Sequence, residues 1–438
     1  MRPFDVNNRL VLSIALPMML AYVTTPLLGL VDTAVIGQLG DAALIGGLAA
    51  GAIVFDVVFA TFNFLRSGTT GLVAQAYGRG DRPEEQAVFW RAFVVALLLG
   101  CLLILCAPLI AEVGGRFIGG EEAVTAAMAT YVLIRLLSAP FALTNYAILG
   151  YVLGRGEATL GLALQLVLNV TNIVFSVILG LWLGWGIAGV AWGTVIAEVT
   201  AALIGLTILV ARFRKLPPLA RGALANVQAL GAMFALNRDI MIRSFVLLGA
   251  FALFARQGAQ LGTLTLAANA VLMNFFLLSG YFLDGFATAA EQLAGRALGA
   301  RHRPAFARAV KLTAWWGFCV AGLVTALFLL FGAGLVAVVT TAEDVRATAA
   351  IYLPWAAFTA LSGVLAFQMD GVFIGATWSR DMRNMMLLSF AAYIVGLLAL
   401  GSAFGNHGLW AALHLFLLAR GLSLLSVLPR RSRQAFGT

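Results

Sequence analysis

Residues 26–41 read PLLGLVDTAVIGQLGD, and one side chain among them decides how the chain is to be read. The stretch continues an apolar run, yet it holds Asp32, with no basic residue between Arg9 and Arg66 to balance it. In a water-soluble helix this acid would lie on the surface. The composition removes that reading. The 438-residue chain is 62% hydrophobic and 11% charged, with a mean hydropathy of +0.97, against about half apolar and a quarter charged in soluble domains. Apolar runs recur along its whole length, so a polytopic membrane protein is expected, with Asp32 inside a span.

A spanning helix needs about 20 mostly apolar residues. Twelve such runs are predicted, near 10–37, 42–66, 89–112, 124–153, 158–183, 186–211, 232–257, 263–290, 308–334, 346–376, 383–404 and 407–428. Pro17, Pro26, Pro140 and Pro354 fall inside them and predict kinks. Pro26 stands six residues before Asp32, where a kink can open the helix beside the carboxyl and admit water. The leader MRPFDVNNR (1–9) runs into an apolar stretch too long for a signal peptide, so the first helix is expected to be its own insertion signal.

The net charge of +9 raises the question of a nucleic-acid partner. The basic residues sit at intervals between apolar runs and not on one face, so the pattern is topological and no nucleic acid is expected. They gather in AYGRGDRPEEQ (76–86), RFRKLPPLAR (212–221), GRALGARHRPAFAR (295–308), WSRDMR (378–383) and PRRSR (429–433). The intervening turns QLGD, WLGWG, TTAEDVR and FGNHG hold few. The positive-inside rule then places both termini in the cytoplasm of a cell with this chain in its inner, or plasma, membrane.

The chain also repeats. AQAYGRGDR (74–82) aligns with GRALGARHR (295–303), and GYVLGRGEAT (150–159) with GVFIGATWSR (371–380), both at an offset of 221 residues. NNRLVLSI near the start has a looser echo in LNRDIMIR. Six spans per half is an even number, so both halves enter from one side. The expected fold is therefore all-α, with twelve transmembrane helices in two six-helix lobes related by a pseudo-two-fold axis along the membrane normal and a cavity between them. The lobes are predicted as 1–220, including the basic connection from about 212, and 221–438.

Carboxylates inside spans cost roughly 2.5–3.5 kcal/mol each, and usually face a bundle interior or a wet cavity. Asp32, Asp56, Glu198, Asp284 and Asp370 lie well inside spans, with Arg135 as the deep basic residue. Asp32 is the strongest candidate for a functional acid. Desolvation works against its charged form, so a proton can come and go in the physiological range. The corresponding place in the second half reads LFAR, apolar where Asp32 would be, so the repeat is broken there.

On the fifth span, LNVTNIVFS (168–176) sets Asn169, Asn172 and Ser176 on related faces, Asn172 and Ser176 one turn apart. With Thr194 on the sixth span they could form a polar cluster with Asp32, or serve as interhelical glue. Asp284 in GYFLDGF, and Gln368 and Asp370 in AFQMD, are candidates for a second-lobe cavity, with a helix–helix hydrogen bond as the alternative. Asp56 in AIVFDVVF has no assigned place. Glu198 and Arg135 are expected to form a buried ion pair. Arg66 and Arg420 lie near span ends, where snorkelling explains them.

Cys101, Cys106 and Cys319 lie in apolar runs and suggest neither a disulfide framework nor a metal set. His302, His407 and His414 are scattered and no P-loop motif is present. No enzyme, metal site or cofactor is expected, and ion coupling is left as the energy source.

ALPMMLAYVTTPLLGLVDTAVIGQLG (15–40), FNFLRSGTTGLVAQAYGRGD (62–81), LNRDIMIRS (236–244) and MDGVFIGAT (369–377) resemble the multidrug and toxic compound extrusion (MATE) transporters, specifically the DinF-like branch. The resemblance spans nearly the whole chain. It implies antiport of organic cations or other amphiphilic drugs and toxins against protons or sodium, by alternating access between two lobes. Asp32 matches the first-span acid proposed to change protonation, and Asn172 and Thr194 match polar partners. Ser176 departs from the pattern, since related sequences commonly carry an Asp at that spacing. Its loss removes a ligand that sodium would use, and so favours protons. The expectation is a monomeric proton-coupled exporter of small amphiphilic or cationic molecules. A sodium-coupled antiporter of the same fold or a lipid-linked precursor flippase are the alternatives.

Overall fold

The computed structural model describes residues 4–219 and 222–437, and these form helices joined by short connections, without a strand. α1 (Asn8–Gly37) runs unbroken through Pro17 and Pro26. α2 (Ala42–Ala60) and α3 (Phe64–Arg79) make one pass interrupted at 61–63, followed by α4 (Arg82–Ile118). Asp41 and Asp81 open α2 and α4 by accepting the Ala43 and Glu84 backbone N–H groups at 2.8 and 3.1 Å, which supplies partners that a helix start otherwise lacks.

α5 (Glu122–Leu136) and α6 (Ala139–Gly154) are the halves of one bent pass, meeting at 55°. Pro140, near the start of α6, cannot continue the ladder from α5. α7 (Ala158–Val177) ends in a π-helical turn at Ile178–Trp182, and α8 (Gly186–Phe213) closes the first half. The second half holds α9 (Val227–Gln260), α10 (Thr263–Gly299), α11 (Arg303–Val339), α12 (Glu343–Gly375), α13 (Ser379–Gly396) with its own π turn at Leu397–Gly401, and α14 (Ser402–Phe436).

Nine helical runs among the described residues are long and apolar enough to cross a membrane, ten when α5 and α6 count as one. α9 and a sharp turn within the final run complete the twelve passes. That turn falls at Gly405, where φ of 55° and ψ of −127° suit a residue without Cβ. The last helix reaches Phe436, well beyond the predicted 428.

The repeat holds at four pairs of helix starts. α2 and α10 begin at 42 and 263, α4 and α11 at 82 and 303, α5 and α12 at 122 and 343, α7 and α13 at 158 and 379, each pair 221 apart. Left-handed turns follow the same shift, Gly80 with Arg301 and Gly156 with Thr377. The halves differ in their breaks. α10 and α12 run continuously where the first half is interrupted at 61–63 and again at 137–138.

The chain divides into two compact units, Leu20–Tyr77 with Asp81–Phe234, and Met1–Met19 with Gly78–Gly80 and Ala235–Thr438. The division at 220 drawn from the sequence falls in the segment between α8 and α9. In the first unit α7 packs on α8, α2 on α5, and α4 on α6. Phe89, Tyr151 and Phe213 meet there edge-on or tilted at centroid distances of 5.3–5.7 Å, the range of favourable aromatic pairs.

In the second unit α10 and α12 pair along their length, with α11 and α14 against α12. Asn269 and Asn406 exchange amide hydrogen bonds of 2.7 and 3.0 Å, and Trp410 Nε1 donates to Asn269 Oδ1 at 2.9 Å. These bonds pin the start of α14 to α10 with buried polar groups paired. The outer surfaces stay apolar. Leu98, Leu102, Leu105 and Leu109 stand exposed at helical spacing on α4, as lipid-facing residues do.

Candidate functional site

Asp32 lies near the end of α1 and is buried. Ser176 Oγ, from the last turn of α7, donates to Asp32 Oδ1 at 3.0 Å. One turn earlier on α7, Asn172 Nδ2 donates to Thr194 Oγ1 at 2.7 Å, and the Thr194 hydroxyl donates to the Val190 carbonyl at 3.3 Å. Asn169 Nδ2 reaches α1 by donating to Thr24 Oγ1 at 2.8 Å, while Gln165 donates to Asn169 Oδ1 at 3.0 Å. The residues singled out from the sequence thus share one face of α7, all buried, but as separate links. Ser176 meets Asp32, Asn172 meets Thr194, and Asn169 meets Thr24, a partner that no local sequence pattern marks.

A glycine sets this geometry. A Cβ on Gly193 would stand 2.6 Å from the Ser176 backbone nitrogen and 2.9 Å from its Oγ. The α8 backbone therefore touches α7 where Ser176 must be held toward Asp32, and no larger residue fits without displacement.

The same helices wall a cavity of about 330 Å³, within the range of small-molecule sites. Tyr22, Phe55, Phe59 and Tyr146 give it aromatic walls, and Arg66, Arg135 and Glu198 give it charge. Arg66, half-buried, donates to Tyr22 OH at 3.4 Å and to Asn63 Oδ1 at 3.3 Å and so forms part of the cavity wall. The Arg135 guanidinium lies 3.7 Å from the Phe55 ring centroid, a cation–π contact, and donates to Tyr131 OH at 2.7 Å. The expected Arg135–Glu198 pair is present, Nη2 to Oε1, at 3.4 Å. Asp56 is exposed on α2.

In the second unit, Asp370 does not stand open in a cavity. Its Oδ2 accepts from Arg420 Nη2 at 2.6 Å and from Arg243 Nη2. Arg135 is therefore not the sole deep cation, and Arg420, 3% exposed, is not snorkelling. Gln368 turns to α11 instead, donating to Thr313 Oγ1 at 3.0 Å and the Val310 carbonyl at 3.1 Å. Asp284 is half-buried on α10, within electrostatic reach of Arg420.

Outside the spans, Glu157 in the α6–α7 connection accepts from Arg212 Nη2 at 2.8 Å and from Arg155 Nε at 2.9 Å. Burial pushes its carboxyl upward, but the bonds from Arg212 and then Arg155 outweigh that and hold it below the usual glutamate range.

A buried carboxyl beside a cavity of this size, in a helical fold of twelve passes, is the build of a membrane transporter and not of an enzyme. The MatE profile matches residues 17–178 and again 240–399, one block in each half of the repeat, and the chain belongs to this family of multidrug efflux transporters. It is 39% identical over 428 residues to DNA damage-inducible protein F of Escherichia coli, covering 96% of this chain and 92% of that protein. It is also 27% identical to a probable multidrug resistance protein NorM of Chromobacterium violaceum, over 97% of this chain and 94% of the relative. Among solved structures, a MOP superfamily transporter from Pyrococcus furiosus superposes with a TM-score of 0.88 at 18% identity, covering 97% of this chain and 96% of that one. A MATE in a bent conformation matches at 0.87 and 17%, covering 98% and 97%. At these identities the structural matches establish the fold.

Proposed function

We propose that the chain is a proton-coupled antiporter of the plasma membrane that exports organic cations or other amphiphiles, with Asp32 as the group that takes up and releases the proton. The observation that carries this reading is the Ser176–Asp32 bond of 3.0 Å. It leaves Asp32 as the one carboxylate of its polar cluster, answered by a neutral hydroxyl. A sodium ion asks for several oxygens and compensating negative charge, whereas a proton asks for one carboxyl and a partner that tolerates both its states. A hydroxyl is such a partner, donating to the carboxylate and accepting from the acid.

The cavity beside this cluster is the proposed place for substrate. Its aromatic walls suit flat apolar bodies, and Glu198 suits a cationic group. Export then requires that proton and substrate disfavour each other's bound state, a reciprocal coupling free energy. Pro26 removes one hydrogen bond from α1 six residues before Asp32. It is the proposed hinge through which the state of the carboxyl changes the shape of α1. That MATE structures among the matches are described in a bent and in a straight conformation supports a fold with two such states. The two units are the bodies proposed to move, the charge of the basic connections supports a cytoplasmic side for both termini, and a monomer is the proposed working form.

Efflux from proteoliposomes with imposed gradients tests this. A pH gradient should drive efflux of a cationic amphiphilic dye by the native chain, and a sodium gradient should not. Asp32→Asn should reduce the proton-driven component to the level of empty liposomes. Undiminished proton-driven efflux by that variant would refute the assignment.

A further inference from the structure

We propose that Glu198 is a second proton-carrying carboxyl, which holds its proton against Ser138 and exchanges it with the cavity. Sequence alone suggests a buried ion pair with Arg135, but the geometry is not that of a strong one. Arg135 Nη2 stands 3.4 Å from Glu198 Oε1, whereas charge-assisted N–H···O bonds run about 2.7–2.9 Å. The shorter bond of Arg135, at 2.7 Å, goes to the neutral Tyr131 hydroxyl, and its Nε has no partner.

Ser138 gives the second observation. It lies in the break between α5 and α6, and its Oγ faces two oxygens, the Arg135 carbonyl at 2.8 Å and Glu198 Oε2. A serine hydroxyl has one proton to give. A carbonyl oxygen can only accept, so the Ser138 proton goes to Arg135. The contact with Oε2 is then filled if Glu198 carries the hydrogen and donates it to Ser138 Oγ. Oε1 is left as the carbonyl oxygen of a neutral acid, which suits its distant contact with Arg135.

Arg135 and Tyr131 face this region from α5, Tyr146 from α6, Asp56 from α2, Asp32 from α1 and Arg66 from α3, while α7 offers no ionisable side chain. Asp56 is exposed, and of the guanidiniums it is Arg135, at its long 3.4 Å contact, that reaches the Glu198 carboxyl. Glu198 lines the cavity, so its proton has water to leave by. A cationic group entering the cavity favours the carboxylate, so substrate and proton compete for the same side chain, the proton passing to cavity water as the substrate binds. This mode of competition rests on the exporter reading; the protonation of Glu198 does not.

pH-difference infrared spectra of the purified full-length chain test it. The protonated-carboxyl stretch of Asp32→Asn should keep a titrating component, and Glu198→Gln should remove that component. A folded Glu198→Gln protein whose protonated-carboxyl signal matches the native one overturns the proposal. If Asp32→Asn loses no component, the Asp32 assignment fails while the Glu198 result still decides this one. Should Glu198→Gln not fold, Ser138→Ala keeps the carboxyl and removes its hydroxyl partner. It should displace both the position and the midpoint of the band, and an unmoved band overturns the proposal equally.

Discussion

Gly193→Ala adds one methyl where α8 touches α7, and its effect can be worked from distances. The new Cβ would lie 2.6 Å from the Ser176 nitrogen, against the 3.4 Å at which ordinary contact begins, so the backbones must part by about 0.8 Å. Ser176 sits on the displaced segment, and its bond to Asp32 starts at 3.0 Å. A movement of that size away from α1 carries it past about 3.5 Å, beyond useful hydrogen bonding. Overpacking of this kind costs about 1–3 kcal/mol, and the lost bond to a carboxyl adds about 1–2 kcal/mol. Ser176→Ala removes only the bond, so it should lose the smaller amount alone. Gly322→Ala, where nothing lies within 4 Å of the added Cβ, should lose no stability. Denaturant unfolding in detergent measures all three, and proton-driven efflux measures the site. The expected order of loss is Gly193→Ala, then Ser176→Ala, with Gly322→Ala native-like in both assays. A Gly193→Ala protein as stable and as active as the native chain would show that α8 does not hold Ser176 in place.

Two further outcomes concern regions away from the polar cluster. Glu157 is held below its unfolded value by Arg212 and Arg155, so its contribution to stability is present above the unfolded pKa of about 4.3 and is lost as pH falls through the folded value. Glu157→Gln should therefore lower stability at neutral pH, by about 1 kcal/mol after allowance for solvent screening of these partly exposed groups, and the difference should vanish on acidification; a difference that persists in acid contradicts the pairing. Thr377 takes a φ of 56° where the first repeat has Gly156. A left-handed β-branched residue costs about 1–2 kcal/mol, so Thr377→Gly should raise the unfolding midpoint, and a lowered midpoint would mean that the Thr377 side chain contributes more than its backbone strain costs.

The helices were legible because lipid leaves the chain little choice. Every backbone group must be satisfied within a helix, so apolar length and charged connections mark the passes. The repeat was legible too, since the 221-residue offset in two loops recurs in the starts of four helix pairs. The pairing of Ser176 with Asp32 and of Asn172 with Thr194 followed in outline from helical spacing on α7. What spacing could not supply was the partner across the unit. Thr24 lies 145 residues from Asn169, and Arg243 lies 127 residues from Asp370, with no local pattern joining them. Arg420 was misplaced for a simpler reason. Its helix continues to Phe436, so a residue read as close to a span end is set deeper among its neighbours. The α5–α6 break was visible as Pro140, but its consequence, Ser138 Oγ set against Glu198 Oε2, depends on a 55° bend that sequence does not encode locally.

The two halves share their helix starts yet differ in chemistry. The first places Asp32 against a hydroxyl, with Thr25 and Leu28 of the same helix lining a cavity. The second holds Asp370 between Arg243 and Arg420, one carboxyl oxygen accepting from two guanidiniums.

Protons exchanged on substrate binding can be counted in weakly buffered detergent solution as a cationic amphiphilic dye is added to the purified protein. The native chain should release protons as the dye binds, and Asp32→Asn, while still binding dye, should release fewer. Equal release by the two proteins would mean that the proton displaced by substrate does not come from Asp32.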